Sequence, residues 1–182
     1  MNTPVELAHR TPQQRLKHAQ LGMLILLATE LMFFTGAVSA LWVWRSDLPE
    51  WPPFGMPIFP KFATGINSLI LFTSGITMAI AVKNKAQYPK KILWITLILG
   101  SMFFLGQGIE WFQLFTHGLK SDNIYGGYFY LIVGGHALHV LAGLFLVLSL
   151  CLHENKNRLQ FFNYYWYFVV GLWLPLYCSV YL

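Results

Sequence analysis

Residues 23–27 read Met-Leu-Ile-Leu-Leu, and residues 144–148 read Leu-Phe-Leu-Val-Leu. Neither stretch alternates apolar with polar residues, so each is apolar on every side, as a helix within a lipid bilayer is. A membrane β-strand would instead alternate over segments of ~10 residues. The two stretches therefore predict an all-α fold of the polytopic membrane class.

The apolar runs around and between these stretches are long enough to cross a bilayer, which takes ~20 residues per helix. They lie at about 21–44, 62–82, 92–115, 125–152 and 159–182. The sequence contains no internal repeat and no second domain. We therefore predict that residues 1–182 form one transmembrane domain, a bundle of five transmembrane helices preceded by a polar segment at about 1–20.

The composition excludes an ordinary soluble protein. Of the 182 residues, 56% are hydrophobic and 10% are charged, whereas a soluble domain carries roughly 25% charged residues. The net charge of +5 does not indicate nucleic-acid binding, because the basic residues lie in short connections between apolar runs and not on one polar face.

The basic residues instead predict the orientation, since cations collect in cytoplasmic connections. The N-terminal segment and the second and fourth connections hold most of them: Arg10, Arg15, Lys17, Lys83, Lys85, Lys90, Lys91, Lys156 and Arg158. The opposite side holds Arg45, Lys61 and Lys120. We expect a cytoplasmic N-terminus and a C-terminus outside.

A few strongly polar residues fall well inside the predicted spans: Glu30, Asn67, Gln107, Glu110, His136 and His139. Such residues are costly in a bilayer unless they are paired, which makes each a candidate for a structural or a proton-related role. Hydrogen bonding between helices and a proton relay both remain open for them. No catalytic residue and no cofactor-binding motif is predicted.

The spacing of these residues predicts some of their contacts. Glu30 has no cation within a helical turn, so it needs a partner from another helix to stay charged. Gln107 and Glu110 are three residues apart, as are His136 and His139, so each pair shares one face of its helix. If the third and fourth helices pack together, we expect Glu110 to contact one of the two histidines.

Two carboxylates and two imidazoles could also hold iron or zinc. Di-iron bundles, however, supply a carboxylate and a histidine at i and i+3 of one helix, and neither histidine here has an acidic residue at that spacing. A metal site is therefore not favoured. A small proton or ion transporter, with Glu30, Glu110 and His136 as a relay, is a further alternative.

Four motifs carry a family resemblance. Residues 30–36 read Glu-Leu-Met-Phe-Phe-Thr-Gly, residues 107–111 read Gln-Gly-Ile-Glu-Trp, and residues 134–140 read Gly-Gly-His-Ala-Leu-His-Val. The remaining motif, in the second helix, is Asn67, Ser68, Thr73, Ser74 and Thr77. In this order the motifs resemble subunit III of haem-copper terminal oxidases, the cytochrome c and quinol oxidases, in its five-helix bacterial form.

The fifth helix departs from the family pattern, which typically reads Tyr-Trp-His-Phe-Val-Asp. This chain has Tyr167 and Val170 in place of the histidine and the aspartate. A subunit-III-like protein that accompanies a nitric oxide reductase is therefore an alternative to the oxidase subunit.

The resemblance implies a non-catalytic subunit of a respiratory oxidase in the bacterial inner membrane. It implies that haem and copper lie in partner subunits I and II and not in this chain, and that phospholipid binds in a cleft between the helices. It also implies that the chain stabilises subunit I and supports proton uptake into it.

Overall fold

The computed structural model describes residues 12–83 and 89–182 of the chain. These residues form helices and connections and contain no β-strand. The helices are α1 (Pro12–Ser46), α2 (Lys61–Lys83), α3 (Lys90–Thr116), α4 (Ile124–Leu152) and α5 (Lys156–Tyr181). Most of the predicted polar N-terminal segment, residues 1–11, lies outside the described residues, as do residues 84–88.

Each helix begins before the apolar run that predicts it. The difference is largest at α1, which starts at Pro12 and not near residue 21. Proline is favoured in the first turn of a helix, where its missing N–H costs nothing. The polar residues that follow can stay helical because the backbone hydrogen bonds of a helix do not require apolar side chains. The apolar run therefore marks the part of the helix that lies in the bilayer and not the full length of the helix.

Among the described residues, four helices are long and apolar enough to cross a membrane: α1 from Gln20 onward, α2, α3 and α4. Helix α5 has 26 residues, but five of them are tyrosines and its first turn carries Lys156 and Arg158. It is therefore less apolar than the other four. The described residues form the predicted five helices, and four of these have the length and hydropathy of membrane spans.

Helix α4 contains a π-helical turn, Tyr130–Gly134, between the α-helical parts Ile124–Phe129 and Gly135–Leu152. Its first turn is capped by Asn123, whose side chain accepts a hydrogen bond from the backbone N–H of Gly126 at 2.7 Å. A Cβ atom at Gly126 would clash with the carbonyl oxygen of Lys120. Glycine is therefore required for the chain to turn into α4.

Helices α2, α3, α4 and α5 form a ring in which each contacts the next and α5 closes back on α2. Helix α1 packs outside this ring, against α5 and the π turn of α4. The core of the ring is aromatic, with Phe103, Trp166 and Trp173 fully buried. Outside the ring, α1 leaves large apolar side chains such as Leu24, Met32 and Val43 exposed, as a helix that faces lipid or a partner does.

Contacts between helix ends show that the helices run in alternating directions. At one end, Lys90 at the start of α3 pairs with Glu154 just after α4, with a distance of 3.2 Å between Nζ and Oε1. At the other end, the hydroxyl of Tyr177 near the end of α5 donates to the carbonyl oxygen of Lys61 at the start of α2, at 2.9 Å. Helix α3 therefore runs antiparallel to α4, and α5 runs antiparallel to α2.

Residues 47–60, here called the proline loop, connect α1 to α2 and are anchored on the bundle end. The guanidinium carbon of Arg45 lies 4.7 Å from the ring centre of Trp51, a cation–π distance. Phe59 is buried and stacks on Tyr125 and Phe129, with ring centres 5.1 and 4.9 Å apart. These contacts hold the proline loop against the end of the bundle.

Candidate functional site

Glu30 in α1 pairs with His139 in α4. The distance between Glu30 Oε2 and His139 Nε2 is 2.9 Å, and the two side chains are 27% and 19% exposed. The other ring nitrogen of His139, Nδ1, lies 2.7 Å from the carbonyl oxygen of Gly135. A carbonyl accepts only, so Nδ1 carries a proton and Nε2 faces the carboxyl group. The carboxyl and the imidazole therefore share one proton between them.

The position of this pair follows from a close approach of α1 to α4. A Cβ atom at Gly135 would lie in ordinary van der Waals contact with the rings of Phe33 and Phe34, at 3.6–3.7 Å, so the α1 aromatics lie beside the α4 backbone at this position. The ring of Phe34 also meets the His139 ring edge-on, at 5.4 Å between centres. The partner that Glu30 needs thus comes from α4.

Loss of either member of the pair should weaken the bundle. The Glu30→Leu and His139→Leu variants each leave one polar group without its partner in a low-dielectric setting, at a cost of ~1–3 kcal/mol. The double variant should lose less than the sum of the two, because neither group is then stranded. Thermal unfolding of the detergent-solubilised protein measures these losses.

The matched control is Glu154→Leu, which removes an exposed ion pair worth ~0–1 kcal/mol. If the losses of the two single variants simply add in the double variant, Glu30 and His139 are not coupled and the pair has no structural role.

Glu110 contacts α2 and not a histidine. Its Oε2 atom accepts a hydrogen bond of 2.6 Å from the hydroxyl of Thr64, and its side chain is 7% exposed. Its Oε1 atom is buried without a hydrogen-bond partner, as are both ring nitrogens of His136. The predicted contact between Glu110 and His136 or His139 is therefore wrong.

Gln107, one turn before Glu110, extends the same polar network. Its side-chain N–H donates to the hydroxyl of Tyr181 in α5 at 3.0 Å. Asn67 in α2 donates to the carbonyl oxygen of Phe103 at 3.0 Å and approaches the Gln107 side-chain oxygen at 3.5 Å. Asn67, Gln107 and Glu110 therefore join α2, α3 and α5, which fits the interhelical role left open for them.

His136 lies in the aromatic core of the ring. It is 1% exposed and stacks on Trp173 of α5, with ring centres 4.9 Å apart and an interplanar angle of 28°. The Trp173 indole N–H donates to the hydroxyl of Ser68 at 2.7 Å. His136 therefore connects α4 to α5 and, through Trp173, to α2.

The four candidate metal ligands do not come together. Glu30 and His139 pair with each other at the α1–α4 contact, while Glu110 and His136 occupy separate contacts. In the described part of the chain, no group of three or more His, Cys, Asp or Glu side chains could hold a metal ion. The four side chains serve instead at three different junctions between helices.

Two participants in the polar network were not among the candidates from the sequence. Thr64 lies three residues before Asn67 and so shares its face of α2, a spacing that could have identified it. Tyr181 stands next to the end of the chain in an aromatic-rich helix, and no pattern there distinguishes it from the other tyrosines of α5.

The model of one protein family, described as cytochrome c oxidase subunit III, matches residues 7–182. The chain belongs to this family. It is 34% identical to cytochrome c oxidase subunit 3 of a Synechocystis species, over 88% of this chain and 74% of the relative. It is also 30% identical to a probable cytochrome c oxidase subunit 3 of Nocardia farcinica, with 88% and 85% covered, and 35% identical to the elephant (Loxodonta africana) protein, with 95% and 72% covered.

Membership of the subunit III family confirms the resemblance seen in the motifs. Together with the four apolar helices, it establishes a multi-pass membrane protein that acts as subunit III of an oxidase complex. A subunit of a complex has partner subunits. The alternatives of a protein accompanying a nitric oxide reductase and of a small transporter are not favoured.

Proposed function

We propose that this chain is a non-catalytic subunit of a haem-copper respiratory oxidase, in which haem and copper lie in partner subunits I and II. The observation that carries the proposal is how the intramembrane polar residues are used. Glu30 pairs with His139, Thr64 donates to Glu110, and Gln107 donates to Tyr181. These side chains hold helices together and do not converge on a site for a cofactor.

We propose that the chain stabilises subunit I and supports proton uptake into it. The pair of Glu30 and His139 supports this role, because it holds a shared proton at a partly exposed position in the middle of α1. A carboxyl group in the bilayer that stays 27% exposed is costly unless lipid or a partner covers it. The surface of α1 around Glu30 is therefore the side that we assign to the rest of the complex.

Bound phospholipid is part of the proposal. A cavity of ≈ 570 Å³ opens between α1 and α5. Apolar and aromatic side chains line most of it, with one amide and two phenol groups among them: Gln20, Met23, Leu24, Leu27, Phe161, Tyr164, Tyr167 and Phe168. Such a lining suits an acyl chain, and the phenol groups suit the boundary with the headgroup. Tyr167, which replaces the histidine typical of the family, lies in this wall.

We further propose that α5 is a fifth span and that the chain lies in a bacterial inner membrane with its N-terminus cytoplasmic. Its 26 residues reach about 39 Å at 1.5 Å per residue, enough to cross the hydrocarbon core. The ion pair between Lys90, at the start of α3, and Glu154, just after α4, supports the view that the second and fourth connections lie on the same side of the membrane. That side carries most of the cations, which favours the cytoplasm.

Purification through a tag on this chain, after extraction in a mild detergent, tests the proposed role. We expect haem absorption bands and a larger subunit to copurify with the tagged chain. A strain that carries the untagged chain is the control for haem that adheres to the resin. Recovery of the chain with neither haem nor a larger subunit would contradict the proposal, and a metal bound to the isolated chain would indicate an enzyme in its own right.

A further inference from the structure

The end of the bundle that carries the proline loop holds a cavity of ≈ 210 Å³, here called the loop cavity. Its wall includes Trp51 and Phe59 of the proline loop, the first residue of α2, Lys61, and one tyrosine each from α4 and α5, Tyr125 and Tyr181. Small-molecule pockets usually have volumes of ~300–1,000 Å³. The loop cavity is smaller than these, so its volume suits a single side chain.

Two cations flank the loop cavity. Lys61 is the charged residue among those that line it. The guanidinium carbon of Arg45 lies 4.7 Å from the ring centre of Trp51, which belongs to the wall, and 5.7 Å from the ring centre of Trp42. These are cation–π distances. Arg45 is partly buried, and its guanidinium group is therefore held beside the cavity by aromatic rings.

Neither cation has an anionic partner among the described residues. The proline loop carries two carboxylates, Asp47 and Glu50, which are both exposed, and neither forms an ion pair with Arg45 or Lys61. A charge that is partly removed from water is costly unless it is paired, and the donors of arginine form a fork that matches a carboxylate. The loop cavity thus combines positive charge with aromatic walls and lacks a carboxylate of its own.

The residue types at the loop cavity indicate a protein partner and not a lipid. Tryptophan, tyrosine and arginine are enriched among the residues that dominate binding energy at protein–protein interfaces, and Trp51, Tyr125 and Arg45 meet here. The cavity also has less than half the volume of the groove between α1 and α5, ≈ 210 against ≈ 570 Å³. Trp42, which contacts Arg45, is 54% exposed on α1, the helix whose surface we assign to the rest of the complex.

We propose that the loop cavity is a docking pocket for an acidic side chain of a partner subunit. The positive charges of Arg45 and Lys61 hold its carboxylate, and its methylene groups contact the rings of Trp51 and Tyr125. The proposal rests on the role of the chain as a subunit of an oxidase complex. It adds the chemistry of one contact, an aspartate or glutamate on a partner segment that reaches the proline-loop end of the bundle.

A zero-length cross-link tests the pocket in the intact complex. A water-soluble carbodiimide activates a carboxylate, and the Lys61 amine then forms an amide with it while the carbodiimide leaves as a urea. Mass spectrometry should find Lys61 joined to an aspartate or glutamate of another subunit. The Lys61→Arg variant keeps the charge but cannot form the amide, so this cross-link should disappear. The Arg45→Gln variant should lower its yield, and Arg45→Lys should add a second cross-link to the same partner segment.

Retention of the chain in the complex gives an independent measurement. The double variant Arg45→Gln and Lys61→Gln leaves the partner's carboxylate without its cations, so we expect the chain to dissociate from the detergent-solubilised complex ~10-fold faster. The matched control is Lys120→Gln, which removes an exposed cation outside the cavity wall and should leave the rate unchanged.

The proposal is overturned if a complex that contains haem and a larger subunit gives no cross-link between Lys61 and that or another subunit, or if Lys61 is joined only to Asp47 or Glu50 of this chain. It is also overturned if the double variant dissociates no faster than Lys120→Gln. Loss of phospholipid from the double variant at an unchanged rate would assign the two cations to a lipid headgroup instead. Absence of haem and of a larger subunit from the preparation would contradict the proposed function itself, which distinguishes the two failures.

Discussion

A leucine at Gly100 should prevent stable folding of the ring, whereas a leucine at Gly108 of the same helix should be tolerated. A Cβ atom at Gly100 would lie 2.8 Å from Cη2 of Trp166 and 2.9 Å from Cδ2 of Leu144. Both side chains are buried, and Trp166 is 1% exposed. Since Trp166 is a large ring enclosed by α3 and α4, it cannot move aside without separating the helices.

The expected size of the effect follows from overpacking. Extra methylene groups in a packed core cost typically 1–3 kcal/mol, occasionally more, and a leucine adds several of them to a position that already excludes a Cβ atom. At Gly108, a Cβ atom meets nothing within 4 Å. Both variants gain the same helix propensity, ~0.8–1 kcal/mol relative to glycine, so the comparison isolates the packing term.

The amount of full-length chain in membranes and its thermal unfolding in detergent measure this difference. Gly100→Leu should be depleted or unfold at a much lower temperature, and Gly108→Leu should resemble the natural protein. Equal behaviour of the two variants would mean that α3, α4 and α5 do not meet around Trp166 as described.

The number of helices could be predicted from the sequence because the length and composition of an apolar run depend on that run alone. The helix ends could not, since polar residues at a bilayer surface remain helical, as residues 12–20 of α1 do. The weaker membrane character of α5 was also not foreseen. Its tyrosines count as apolar by composition, yet their hydroxyl groups lower its hydropathy.

The contacts of the polar residues were harder to predict, because spacing along one helix does not reveal how its neighbours are rotated. Gln107 and Glu110 do share a polar network, as their spacing predicts. His136 and His139, at the same spacing, have different neighbours, the former against Trp173 in the core and the latter against Glu30 of α1. Three residues turn a helix by about 300°, which leaves a difference of 60° between two side chains.

The departure from the family pattern at Val170 has a packing explanation in this chain. Val170 is buried, and a Cβ atom at Gly75 of α2 would lie 3.1 Å from its Cγ1 atom. An apolar side chain therefore fills the contact of α5 with α2 at this position. The aspartate typical of the family would place a polar group at this contact. In this chain the position holds a valine, and the residue that faces it in α2 is Gly75, which has no side chain to form a hydrogen bond.

The central claim is that the chain supports the oxidase without carrying its chemistry, and deletion of the chain tests this most directly. The haem spectrum and the initial electron-transfer activity of the remaining complex should be largely intact, because in the proposed role the cofactor ligands lie in the partner subunits. In the proposed role the chain shields subunit I and bound lipid, so activity should then decline progressively during turnover, while an idle sample of the same preparation stays active.

The measurement is oxygen consumption over time by the complex with and without the chain, with an idle aliquot of each as control and a haem spectrum before and after. The account predicts equal initial rates and equal spectra, followed by faster decay in the complex that lacks the chain, during turnover only. Immediate loss of activity together with an altered haem spectrum would show that the chain holds a cofactor ligand, and identical decay in both complexes would remove the supporting role.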